Sequence, residues 1–180
     1  AGVARNLDAV VDYTTTTRKL LGDIAGASRA AVNLKDGKYS IDQDIRRTQV
    51  VQHFSPRNSH SFSGAKSFTK LPHGLRVHFV NPEPKQGTPS YQRDEMIVYA
   101  DGYNADGSDS KVEATEFAEL SLWGVADAEQ AYRDARYHMK SAQLRPEMFS
   151  IVADVENIVC NRGDLVRISH DVIGVGYGAA

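Results

Sequence analysis

Apolar and polar positions along this chain follow two spacings, and the changes between them mark its elements. Leu75, Val77 and Phe79 alternate with Arg76 and His78, which predicts a strand with one apolar side. Strand character returns at Glu95–Ala100, alternates again over Ala118–Trp123, and recurs over Met148–Ala153 and Leu165–His170. Between these runs, Ala128, Ala131, Tyr132, Ala135, Met139 and Ala142 fall at helical spacing, with Arg133, Asp134, Arg136 and Lys140 opposite. Asp127 is placed to cap that helix, Gln130 stands at the capping-box position, and Pro146 ends it. An earlier helix runs to about Ala27, with Leu20, Leu21, Ile24, Ala25 and Ser28 on one face and Thr14 to Thr17 as candidate caps. Gly22 and Gly26 each weaken it by up to ~1 kcal/mol, so it depends on tertiary packing. Leu7, Val10 and Val11 suggest a short helix or a docked arm.

Turn chemistry joins these elements. Val32–Lys35, Asp36-Gly37 and Lys38–Ile41 predict a β-hairpin, because Asp-Gly favours a type I′ turn. In that register Leu34 faces Tyr39 and Val32 faces Ile41, giving an apolar face. Residues 42–55 read as a linker or crossover strand, and Ser55–Ser61 as turn-rich. Residues 81–90 hold three prolines and cannot form a central strand. Residues 101–110 are a solvated loop, and Asn161–Asp164 a turn into the last strand. Strands outnumber helices and mostly follow one another, so the expected class is α+β with a largely antiparallel sheet or barrel and one packed amphipathic helix. The expected division is a helix-plus-hairpin subdomain over 1–48, a β-rich domain over 49–172 with its helix near 127–144, and a flexible tail or linker over 173–180.

Composition narrows the function more than the fold. The 180 residues are 41% hydrophobic and 24% charged, which is ordinary for a folded domain. A net charge of −2, from 21 basic and 23 acidic residues, lacks the surplus that phosphate binding requires, so nucleic acid is not an expected partner. No run approaches the ~18–20 apolar residues of a membrane span, and no charged-then-apolar leader opens the sequence. The single cysteine, Cys160, excludes an internal disulfide and a multi-cysteine zinc site, and reads as a small buried hydrophobe.

Candidate chemistry is sparse. Histidines 53, 60, 73, 78, 138 and 170 are scattered, without an HExxH or a helical pair, so no metal is expected. Ser61-Phe62-Ser63-Gly64 lacks the nucleophile-elbow context. The acids Asp94 with Glu95, and Glu113 with Glu116 and Glu119, raise glycosidase chemistry but read better as solvated faces. Gly174-Val175-Gly176-Tyr177-Gly178 misses the phosphate-loop spacing, and Arg162-Gly163-Asp164 reads as a turn rather than an adhesion site. No catalytic, cofactor-binding or metal residue is assigned. Tyr91, Tyr99, Tyr103 and Trp123 motivate the alternative of a receptor- or carbohydrate-binding module of a surface adhesin.

Four stretches carry a resemblance over roughly Tyr13 to Asp171. They are Arg18–Ala25 followed by Asp36-Gly37-Lys38-Tyr39; His53–Ser59 with Leu75–Glu83; Leu122–Ala131; and Arg162–Ile168. In order and spacing they resemble the tail-tip hub, or host-specificity, proteins of long-tailed bacteriophages. The resemblance implies a non-enzymatic virion component of the tail tip, made in the bacterial cytoplasm and commonly trimeric, with small barrel-like hub domains around the DNA channel. Other tail-tip and tail-tube proteins are its implied partners, and a host receptor would be met by regions outside this chain. A near-neutral chain suits a conduit that must not hold DNA through phosphate contacts.

Overall fold

A computed structural model of the chain describes residues 5–35, 37–67, 70–83, 91–170 and 177–178. In chain order these form α1 (Thr17–Ala27), β1 (Ala30–Lys35), β2 (Lys38–Gln43), β3 (Val50–Phe54), β4 (His60–Lys66), β5 (Gly74–Asn81) and β6 (Gln92–Tyr99). There follow β7 (Tyr103–Asn104), β8 (Val112–Glu113), β9 (Phe117–Ser121), α2 (Ala128–Leu144), β10 (Glu147–Val152), a 3-10 turn η1 (Val155–Asn157), β11 (Leu165–Ile168) and β12 (Tyr177–Gly178). The class is α+β, as the sequence predicts. Among the described residues no sheet closes into a barrel.

The chain divides into two compact units that do not follow its order. One takes the described residues of 1–28 and 68–145, the other those of 29–67 and 146–180. Helix α1 and the β1–β2 hairpin, contiguous in sequence, therefore belong to different units.

The first unit is built on a three-stranded sheet with β5 in the centre, antiparallel to β6 and parallel to β9. Alternation along β5 works as the sequence predicts: Leu75, Val77 and Phe79 are buried while Arg76 is exposed. They join Val98, Val125, Ala131 and Ala135 in one core, with Met96, Leu120, Leu122 and Met139 packed against it. Burial of each large apolar side chain contributes about 1.5–3 kcal/mol. Ala131 and Ala135 of α2 have no exposed surface, which lets the helix axis approach the sheet closely. Helix α1 starts where the Thr16 hydroxyl accepts from Lys19 N at 3.3 Å, and it buries Ala25 and Ala27.

The second unit consists of the β1–β2 hairpin, the antiparallel pair β4–β10, and the sheet β12–β11–β3, in which β3 and β11 are parallel. The hairpin register pairs Leu34 with Tyr39 and Val32 with Ile41, as predicted. Asp36, half of the predicted turn, lies outside the described residues; Gly37 has a φ of +73°. Of residues 173–180, Tyr177 and Gly178 pair as β12 with Ile168 and Arg167, and the others lie outside the described residues. The proline-rich stretch lies mostly outside the described residues. Phe62 stacks between Phe149 and His170, with ring centroids 5.8 and 4.9 Å away. Phe54 and Ile168 are this unit's buried hydrophobic residues among those described.

Candidate functional site

Residues 5–8 take the arm alternative of the sequence reading, with no helix. They are held at three points, two of them on α2. Arg5 Nη1 donates to Asp134 Oδ1 at 2.6 Å; the Gln130 side chain accepts from Asn6 N at 3.0 Å and donates to Asn6 O at 3.1 Å. Asp8 N donates to Gly124 O at 2.9 Å. Gly124 has a φ of +71°, and a Cβ there would lie 2.3 Å from Leu7 Cδ1, so this docking needs glycine twice over.

The arm corrects two expectations about α2. Asp127 does cap the helix, accepting from Glu129 N at 2.9 Å. Gln130 does not complete a capping box, because its amide is committed to Asn6. Asp134, expected opposite the buried face, is itself buried, while Ala128 and Tyr132 are exposed. The buried face therefore runs through Gln130, Ala131, Asp134 and Ala135. Two polar residues are tolerated there because the arm supplies their partners.

Toward the other end of α2, a cavity of about 290 Å³ is lined by Leu71, Leu75, Met139 and Ala142 among others, with Asp101, Arg136 and Lys140 as its charged members. Arg136 and Lys140 both donate to the Asp101 carboxylate. These hydrogen bonds, Lys140 first and Arg136 second, hold the exposed Asp101 at a pKa of about 2. Two cations facing one carboxylate leave the site with a surplus positive charge.

The second unit leaves much apolar surface uncovered. Leu34, Tyr39 and Ile41 on the hairpin face are each more than half exposed, as is Met148 on β10. Cys160, expected as a small buried hydrophobe, is only half-buried, and the stretch before it carries exposed Val155, Ile158 and Val159. Gln52 Oε1 fixes this stretch by accepting from Val159 N and Cys160 N, each at 2.9 Å.

The residues raised as candidates in the sequence form no common site. Glu113, Glu116 and Glu119 are all exposed. The hydrogen bond from Lys70 lowers the pKa of Glu116, the opposite of what a general acid needs. Asp94 accepts from Asn81 Nδ2 at 2.9 Å, and Glu95 faces Arg76 and His78. Arg162-Gly163-Asp164 lies in the predicted turn, with Gly163 at a φ of +87° and Asp164 Oδ2 accepting from Asn161 N. Tyr91 is well exposed, but Tyr99 and Trp123 are half-buried and Tyr103 stacks on His73, so the aromatics do not make an open platform. Among the described residues no three histidine, cysteine or acidic side chains cluster as a metal site, and no helix is long and apolar enough to cross a membrane.

No protein-family model matches the sequence, and no curated protein matches it. Among the solved structures that share the fold are two tail proteins. One is the tail protein from Neisseria meningitidis MC58, matched over 95% of this chain and 49% of that one, with a TM-score of 0.59 and 10% identity. The other is the 43 kDa tail protein of prophage MuSo2 from Shewanella oneidensis, matched over 93% of this chain and 49% of that one, with a TM-score of 0.53 and 13% identity. At these identities the likeness is one of fold. The chain spans about half the length of each.

Proposed function

We propose that this chain is a non-enzymatic structural module of a phage tail, located at the tail tip as part of the central hub. The observation that carries the reading is a fold shared along nearly the whole chain with two proteins described as tail proteins, one of them from a prophage. The four stretches that resemble tail-tip hub proteins support the finer placement at the tip. The uncovered apolar surfaces of the second unit support a role in assembly, because contiguous exposed apolar area marks a surface that meets another protein. The near-neutral charge is compatible with lining a DNA conduit without gripping it.

In this reading the parent protein closes a trimeric ring through head-to-tail contacts and meets other tail-tip and tail-tube proteins. Host attachment is carried by regions outside this chain, and the protein is made in the host cytoplasm before joining the virion. Sedimentation of the full-length parent tests the ring: a trimer is expected, and a parent that stays monomeric under all assembly-permissive conditions contradicts the hub placement.

A further inference from the structure

We infer that the cavity at the end of α2 receives the Asp154–Val159 segment of a second copy of this chain. The inference rests on the assembly reading above and names its contact. Three properties of the two surfaces match.

The first is size and character. A cavity of about 290 Å³ sits at the small end of the ~300–1,000 Å³ range of small-molecule pockets, and Leu71, Leu75, Met139 and Ala142 make much of it apolar. A knob of branched aliphatic side chains suits it. Val155 is 86% exposed, the highest value among the exposed large hydrophobic residues described, and Ile158 and Val159 lie beside it in sequence, also exposed.

The second is charge. Asp154 and Glu156 flank Val155, and both are exposed. Arg136 and Lys140 share the single Asp101 carboxylate at the cavity, so the surplus positive charge there is matched by an acid-flanked apolar knob.

The third is preorganisation. The knob is a 3-10 turn continued by backbone held on Gln52, so docking costs little ordering entropy. The arm segment Asp8–Asp12 also pairs acids with an exposed valine, Val10. Unlike the knob, its Asp8, Ala9 and Val10 already line a separate recess with Trp123 and Gly124.

Because the two patches differ, the contact is heterologous and propagates from copy to copy, closing a ring where the rotation allows. One knob-in-cavity contact is smaller than the ~1,200–2,000 Å² of a stable interface, so the isolated chain should associate weakly.

Cross-linking of the whole chain tests the contact. In a Cys160→Ser background, Val155→Cys with Gln143→Cys is expected to give disulfide-linked oligomers under mild oxidation, whereas each single variant gives dimers at most. Sedimentation supplies the second arm: Lys140→Glu and Glu156→Lys are each expected to weaken self-association by about tenfold, and their mixture to restore it, with far-UV dichroism unchanged. Cross-linking no greater than in the single variants, or loss on Val10→Asp but not on Val155→Asp, overturns the inference. If antibodies against the chain still label phage tails after that failure, the contact is wrong and the tail reading stands.

Discussion

Gln130 grips the backbone of Asn6 from both sides, accepting from its N–H at 3.0 Å and donating to its carbonyl at 3.1 Å. One side chain thus satisfies a donor and an acceptor of an arm that belongs to no helix or strand. Gln130→Ala should leave both groups without that partner. An unsatisfied buried group costs ~1–3 kcal/mol, but Asn6 is exposed and water takes up part of the loss, so the expected cost is about 1 kcal/mol. Urea unfolding with an unchanged m-value, together with faster amide exchange at residues 6–8, checks this. Unchanged exchange there would show that the arm is held without Gln130.

The Arg5–Asp134 pair lies four residues along α2 from that clamp, with side chains only 10% and 4% exposed. Arg5→Met removes one charged hydrogen-bond partner of a buried carboxylate and should cost about 1.5–3 kcal/mol. The double variant Arg5→Met/Asp134→Leu should recover part of that loss, because the carboxylate that lost this bond goes with it. Equal losses in the single and double variants, measured by denaturant titration, would show that packing around Arg5 matters more than its charge.

How far the chain could be read from its sequence follows from whether each signal is local. The strand β5 was legible because its alternation is local and its apolar side is fully used. The β1–β2 register followed from one turn, and the cap at Asp127 from one side chain. Burial of Gln130 and Asp134 was not legible: both look like surface residues until an arm more than 100 positions away covers them. Strand β4 leaves no sequence signal, because its serines and glycine carry no apolar alternation; its place comes from pairing with β10. The parallel pairing of β3 with β11 joins distant segments and leaves no local trace. For the candidate surfaces, apolarity at Val155, Ile158 and Val159 was visible, but apolar runs are usually buried, and only the fold reveals that these are not.

Gly37 occupies the turn of the hairpin with a φ of +73°, and a side chain there would meet nothing within 4 Å. The penalty of Gly37→Val is therefore purely conformational, about 1–2 kcal/mol for a β-branched residue in the left-handed region. Gly37→Asn should cost less, because asparagine visits that region more readily. Melting temperatures should fall in the order glycine, asparagine, valine; a valine variant that melts like the parent would mean that the turn relaxes to negative φ.

Asp101 offers a pH test. Its carboxyl, held at about pKa 2 by Lys140 and Arg136, lies well below its ordinary value of 3.8. A depressed folded-state pKa stabilises the fold above the unfolded value and loses that contribution as pH falls through the folded one. The pair should therefore be intact above about pH 4 and weaken toward pH 2. Titration followed by carboxyl carbon NMR should place the midpoint near 2 in the parent chain. Lys140→Met should move it upward, since the largest contributor is gone; an unmoved midpoint would assign the shift to Arg136.

A structural part of a phage tail tip must be found at the tip of the assembled particle. Gold-labelled antibodies against this chain, applied to purified phage particles from the bacterium that carries its gene, are expected to decorate the distal end of the tail. Particles that carry the phage's other tail proteins but bind no label anywhere, with the chain absent from them by mass spectrometry, would contradict it.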